Sequence, residues 1–213
     1  MHDLGGGSRK ASVIRRSVFG TPSMKLPSGR WLASFLAIVA FGFMLDLLTK
    51  NYISGKLADE QRLDTAIVQN EIIPNWFSLL TNSPLNKGAL FSLGNNFGIK
   101  ANTFFITISG LAIMGIFGWA LMPNIKKPAI YTITLGFILS GALGNCYDRI
   151  VYGGVRDWIW VYYRRGPNDY PFNWPVFNIA DCFLIGGAIL LILHGLLWPV
   201  KTNSPIPPAQ ELQ

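Results

Sequence analysis

Residues 101–122 read ANTFFITISGLAIMGIFGWALM, without one charged side chain. A helix needs about 20 apolar residues to cross the hydrocarbon core of a bilayer. A surface helix of a soluble domain would show a polar stripe along such a length, and this run has none. Three further stretches share its character. Trp31 to Leu48 is interrupted only by Asp46, Pro128 to Tyr147 is uncharged, and the run after Asp181 reaches Val200 with His194 as its ionisable group. The pattern predicts four membrane-spanning helices. The first is read as retained rather than as a cleaved signal peptide, because Asp46-Leu-Leu-Thr-Lys50 stands where a small-residue cleavage site belongs.

Composition agrees. Of 213 residues, 50% are hydrophobic and 14% charged, whereas a soluble domain carries about 25% charged residues. A soluble enzyme and a collagen-like or disordered chain are thereby excluded. The net charge of +7 points to a membrane flank rather than to nucleic acid, since Arg9, Lys10, Arg15, Arg16, Lys25 and Arg30 all precede the first apolar run. The two cysteines, Cys146 and Cys182, lie in or beside apolar stretches and read as small buried hydrophobes, too few for a disulfide scaffold. With only His2 and His194 there is no HExxH and no zinc spacing, which excludes a metalloprotease. No metal and no cofactor are expected.

Lys and Arg near the span ends set the orientation. The basic N-terminal tail and the short 123–127 connection, with Lys126 and Lys127, are expected in the cytoplasm. Four spans then put the C-terminal tail there as well. Residues 1–30 read as a disordered cytoplasmic tail, 31–200 as the membrane domain, and 201–213 as a second cytoplasmic tail. The loops at about 51–100 and 149–176 fall outside. Within them, Val155-Arg-Asp-Trp-Ile-Trp-Val-Tyr-Tyr163 alternates with period two and is rich in strand formers. Val155, Asp157, Ile159 and Val161 share one face, and Trp158, Trp160 and Tyr162 the other, at membrane-interface depth. Ile72 to Leu93 reads as short strands broken at Pro74, Asn82-Ser-Pro84 and Gly88, and residues 51–63 as an interfacial helix.

Acids at a membrane edge are costly and usually functional. Asp46, Asp148 and Asp181 fall at the outer ends of their spans, and Asp157 lies in the strand between spans three and four. Asn145 with Asp148 and Asn178 with Asp181 form two i, i+3 pairs. Each has a bland counterpart: a helix N-cap with an acid at N3 for Asn178–Asp181, an ion pair with Arg149 for Asp148, and an i, i+4 pair with Lys50 for Asp46. Two opposed carboxylates in a partly dry site share one proton. The ionised member can take a proton from water while the other polarises a carbonyl. That chemistry is aspartic peptide hydrolysis. The residues leave open which two acids meet; the twin Asn-x-x-Asp pairs favour Asp148 with Asp181.

Five motifs stand in order along 31–200: Asp46-Leu-Leu-Thr-Lys50, Asn86-Lys-Gly-Ala-Leu-Phe-Ser92, Gly141-Ala-Leu-Gly-Asn-Cys-Tyr-Asp-Arg149, Val155-Arg-Asp157 and Phe177-Asn-Ile-Ala-Asp181. Together they resemble the lipoprotein signal peptidase family, also called signal peptidase II. The resemblance implies four transmembrane helices with an extracytoplasmic β-cradle and a small interfacial helix. It implies a bacterial inner-membrane aspartic endopeptidase, monomeric and surrounded by membrane lipids, with its site at the outer leaflet. Its substrate would be a prolipoprotein carrying diacylglyceryl-cysteine, cut just before that cysteine. It moves the catalytic pair to Asp157 and Asp181. Asp46, Lys50, Asn86, Gly88, Asn145, Asp148, Arg149 and Asn178 match positions that order the site or contact substrate. Leu90, Arg156, Trp158 and the length of 164–175 depart from the family pattern. A small proton-coupled transporter or scaffold using the same acids is the alternative from another class, but it would place them near the midplane, often in repeated halves. A Ser–Lys peptidase using Lys50 with Ser54 or Ser92 is the third, disfavoured because Asp46 already partners Lys50.

Overall fold

The computed structural model describes residues 27–59, 68–81, 85–88, 99–123 and 128–198. The N-terminal basic cluster except Arg30, together with Lys126, Lys127, Ser92 and the C-terminal tail, lies outside them. Among the described residues, four helices have the length and apolarity to cross a membrane: α1 (Gly29–Asp59), α2 (Ile99–Leu121), α3 (Ala129–Tyr152) and α4 (Ile179–Leu197). A four-stranded antiparallel sheet accompanies them, in the order β1 (Val68–Ile73), β2 (Phe77–Thr81), β3 (Ile159–Tyr163) and β4 (Phe172–Asn173).

The helix ends follow local chemistry. Ser28 Oγ accepts from Trp31 N at 3.3 Å and caps α1. Pro128 fixes its own φ at −57° ahead of α3. Gly153, at φ 78°, ends that helix in the left-handed region, where a Cβ is strained. Of the interfacial helix expected at 51–63, residues 51–59 are not separate from α1, and 60–63 lie outside the described residues. Residues 51–59 continue α1 without a break, because no Gly or Pro cap intervenes after Lys50 apart from an isolated Gly55.

The two ends of the bundle differ in kind. At one end the start of α1, the end of α2, the start of α3 and the end of α4 meet in a chain of rings. Trp31 lies 6.1 Å from Trp119, Trp119 5.7 Å from Tyr131, and Tyr131 5.6 Å from His194. Phe35, Val39, Ala120 and Leu139 form the buried apolar cluster beside them. At the other end the termini of the same four helices carry Asp46, Lys50, Asn102, Asn145, Asp148, Arg149 and Asp181. The helices therefore alternate in direction, and the described chain starts and finishes at the aromatic end. Only 6% of the most apolar window of α2 is buried within the protein, against 56% for α3. In water the outward Phe41, Met114 and Leu196 would be a liability; in lipid they are solvated.

Apolar helices gain nothing from one another by leaving lipid, so close packing and polar contacts hold them together. Helix α3 is the centre, packed on both α4 and α1. Gly141 and Gly144 make that approach possible: a Cβ on Gly141 would run into the Ala180 carbonyl, and one on Gly144 into the Asp46 carboxylate.

The strand pattern is partly as the alternation predicts. Regular β3 starts at Ile159, while Val155 makes an isolated bridge to Asn86. Pro74-Asn75-Trp76 turns β1 into β2, with Asn75 at φ 64° and its N–H on Glu71 Oε1 at 2.8 Å. Tyr162 does not face outward from the sheet. Its ring is wholly buried and its hydroxyl donates to Glu71 Oε1 at 2.6 Å, with Ser78 Oγ and Gln69 Nε2 each at 2.9 Å. A buried phenol needs such partners, and this knot ties β1, β2 and β3 together.

Candidate active site

Helix α4 begins with a reciprocal cap. Asn178 Oδ1 accepts from Asp181 N at 3.0 Å, and Asp181 Oδ2 accepts from Asn178 N at 3.1 Å. The N-cap expected of these residues is present, and it does more than end a helix. It leaves Asp181 Oδ1 free to accept from Asn145 Nδ2 at 2.8 Å. It also aims Asn178 Nδ2 at Asp157 Oδ1, 2.7 Å away, and at Asn145 Oδ1, 3.1 Å away. One asparagine thus bridges the two carboxylates.

Asp157 receives its second donor from Asn86 Nδ2, at 2.8 Å on Oδ2. Asn86 is held by two backbone bonds with Val155, each 2.8 Å, and by Gly88 N on its Oδ1 at 2.9 Å. Both amide roles of Asn86 are therefore spent on the site itself. Burial, and after it the nearby charge of Asp181, push the Asp157 carboxyl up to about 7, against the amides of Asn86 and Asn178.

Beneath the pair lies a buried ion cluster. Lys50 Nζ is 2.8 Å from Asp46 Oδ2, 3.2 Å from Asp148 Oδ2 and 3.2 Å from Asn145 Oδ1. The expected Asp46–Lys50 pair is formed. Asp46 also accepts the Ala180 N–H at 3.0 Å, satisfying an orphan donor in the first turn of α4. The expected pairing of Asp148 with Arg149 is not. Neighbours in a helix point about 100° apart, and Asp148 faces Lys50 and Arg156, with Arg156 Nη2 on its Oδ1 at 2.7 Å. Arg149 turns the other way, with Nη2 on Gly88 O at 2.6 Å and Nη1 on Asn145 O at 3.3 Å. Its guanidinium stands 5.5 Å from the Phe105 ring centre. Lys50, fully engaged by acids and an amide, is no general base for Ser54.

Asp157, Asp181, Asn86, Asn145 and Arg149 line one cavity of about 660 Å³; Asp148 does not. Its upper wall is the cradle, at Val155, Val161 and residues 172–177. Its lower wall is apolar, from Phe105 to Ala112 on α2 and Leu184 to Ile189 on α4. Eight residues of helix separate Asp181 from Ile189, so the groove reaches about 12 Å down the spans. The carboxylates sit among its polar lining, with Asn86, Asn145 and Arg149. The motifs did not single out Asn51, which accepts from Arg156 Nη1 at 2.8 Å, or Asn102, whose Nδ2 donates to Arg149 O at 3.3 Å. Both are lone amides within apolar or helical runs, and nothing local marks them. A Gly144→Ala substitution is expected to displace the Asp46 carboxylate and with it the Ala180 contact. The measurable result is a lower Tm by several degrees, equivalent to about 1–3 kcal/mol for an overpacked site.

This fold defines an integral membrane protein whose polar residues collect at one end of its spans, around an apolar groove. The family model for Signal peptidase (SPase) II matches residues 38–197. A lipoprotein signal peptidase of Symbiobacterium thermophilum is 35% identical over 166 residues, covering 78% of this chain and 95% of the relative. One from Chromobacterium violaceum is 27% identical over 178 residues, covering 84% and 100%. A bacterial membrane enzyme solved by the in meso method at 2.3 Å resolution shares the fold, with a TM-score of 0.57, 24% identity, and coverage of 86% of this chain and 98% of that one. The chain belongs to the signal peptidase II family, and so is a bacterial membrane protease.

Proposed function

We propose that this protein removes the signal peptide from prolipoproteins carrying diacylglyceryl-cysteine, cutting just before that cysteine, with Asp157 and Asp181 as the catalytic pair. The observation that carries the reading is that these two carboxylates, bridged by Asn178, line one cavity together with an apolar run of α2 and α4 side chains. The names of the relatives support the substrate class.

The steps follow from the geometry. Asp157, pushed up to about 7, holds the shared proton near neutral pH. Asp181 sits at N3 of α4, beside the positive end of the helix, and takes a proton from the attacking water. The water oxygen bonds to the scissile carbonyl carbon while Asp157 protonates the carbonyl oxygen. Collapse of the tetrahedral intermediate breaks the C–N bond: the proton held by Asp181 goes to the leaving amine, and one hydroxyl proton of the intermediate returns to Asp157. Asn86, Asn145 and Asn178 fix both carboxylates; Arg149 fixes the Gly88 carbonyl and the α3 turn behind Asn145. The acyl chains lie along the α2–α4 groove. The test is to incubate purified protein with diacylglyceryl-modified prolipoprotein and follow intact mass: loss of the signal-peptide mass supports the reading, and an unchanged substrate overturns it.

The basic N-terminal tail supports cytoplasmic termini, with the sheet and the carboxylates at the outer leaflet. In a variant whose two native cysteines are replaced by alanine, a cysteine placed at Asn168 should react with an impermeant thiol reagent in intact cells. A cysteine at Lys126 should be silent until the cells are opened. The reverse pattern inverts the topology.

A further inference from the structure

We propose that Arg156 is a positioning residue for Asp157: through Asp148 and Asn51 it pins the segment entering Asp157 to α3 and α1, and by holding Asp148 it leaves Lys50 to orient Asn145. This rests on the assignment of Asp157 and Asp181 as the catalytic pair.

Arg156 has five bonds to two helices. Its backbone N donates to Asp148 Oδ2 at 3.0 Å. Nε reaches Oδ1 at 3.2 Å and Oδ2 at 3.3 Å, and Nη2 reaches Oδ1 at 2.7 Å. Nη1 crosses to Asn51 Oδ1 on α1 at 2.8 Å, and the guanidinium lies 4.2 Å from the Tyr152 ring centre. Such a fork fixes both distance and plane. The next residue is Asp157, so the clamp acts on its backbone directly.

A second effect runs through charge. Asp46, Asp148, Lys50 and Arg156 make two acids and two bases, a balanced set in a buried place. Without Arg156, Asp148 would keep only its share of Lys50, and the ammonium would be drawn toward it. Lys50 is also what orients Asn145. With Lys50 Nζ and Asn178 Nδ2 both donating to Asn145 Oδ1, the amide nitrogen must face Asp181. A retreating Lys50 removes one of the two donors that set this orientation and leaves Asn178 alone to hold the amide, so that its Nδ2 is kept less firmly on the Asp181 carboxylate. The family resemblance marks Arg156 as a departure, so this clamp is a device of this chain.

The experiment uses the full chain and diacylglyceryl-modified prolipoprotein, comparing Arg156→Gln, Arg156→Lys and Arg156→Gln with Asp148→Asn. Arg156→Gln should lower kcat at least about tenfold with KM within about twofold, since a small misplacement of a reacting group is costly. Its alkaline limb should move to higher pH. Removing a cation from among Asp46, Asp148, Asp157 and Asp181, with Lys50 and Arg149 unchanged, makes the Asp157 carboxyl harder to ionise. Arg156→Lys keeps the charge but not the fork, so the limb should stay while kcat falls part of the way. Adding Asp148→Asn to Arg156→Gln removes the excess negative charge, so the limb should return toward the parent's pH and turnover should recover in part, the fork being still absent. A kcat for Arg156→Gln within about twofold of the parent overturns the proposal. So does a lowered Tm with an unmoved limb, which marks a merely structural role, or a double variant slower than the single one. If Asp157→Asn or Asp181→Asn stays active, it is the catalytic pair that fails; if both are dead and Arg156→Gln is normal, only the clamp fails.

Discussion

Asp157→Asn and Asp181→Asn should each abolish cleavage, with losses on the order of 10⁴-fold, while the protein remains inserted and folded. Asparagine keeps the size of each side chain but only one of its two acceptor oxygens, so one donor at each position (Asn178 or Asn86 at 157, Asn145 or the Asn178 N–H at 181) loses its acceptor, and neither amide can exchange a proton with water or a carbonyl. Because the two groups act as one unit, the double variant should be no slower than the worse single one. Turnover in the parent should fall as pH rises through about 7, where Asp157 loses the shared proton. Stability supplies an independent reading. A carboxyl whose ionisation is raised from 3.8 to about 7 in the folded protein binds its proton more tightly folded than unfolded. Its contribution is fully present below about pH 4 and is lost progressively up to about 7. The amide that replaces it in Asp157→Asn has no proton to lose. Relative to the parent, Asp157→Asn should therefore gain Tm between about pH 4 and 7 and hold that gain above it. A Tm difference that does not vary with pH would mean Asp157 is not the proton-holding member. Near-normal turnover of Asp157→Asn with a dead Asp148→Asn would move the pair to Asp148.

A prolipoprotein lacking the diacylglyceryl group should be processed more than about 100-fold more slowly, read as kcat/KM at equal concentration. Each buried methylene contributes about 0.8 kcal/mol to membrane attachment, so two acyl chains hold the cysteine at a fixed depth. On the proposed function that depth is the level of Asp157 and Asp181, which line a cavity together with the apolar Phe105, Ile108, Ile185 and Ile189. Without its anchor, the peptide must find that geometry from solution, and the advantage of holding reactants in place is lost. Equal rates for the two substrates would detach the groove from substrate recognition.

The spans were legible because an apolar run of membrane length has few other readings, and the Asn178–Asp181 cap because its spacing is local. The partners of Asp148 were not. A helix places consecutive residues on different faces, so adjacency to Arg149 in sequence misled, and Arg156 reaches Asp148 only after Gly153 turns the chain. Asn86 belonged to the site by motif, but that its amide would be spent on Asp157 depends on a bridge to Val155 that no spacing rule foretells. Tyr162 shows the same limit: period two assigned its face, and only the paired strands show that face to be covered.

The bonds that complete the site join distant parts of the chain. Asp46 meets the Ala180 N–H across 134 positions, and Lys50 meets Asn145 across 95. A ribosome delivers these pieces in order, so the first three helices can enter the membrane with Asp46 and Lys50 already paired to each other, while Asn145 and Asp157 still await Asn178. Only arrival of the last helix supplies the cap, the bridge between the carboxylates and one wall of the groove. If Asp157 and Asp181 are the catalytic pair, the nascent enzyme would be inert by construction, acquiring its cutting edge in the same event that finishes its insertion.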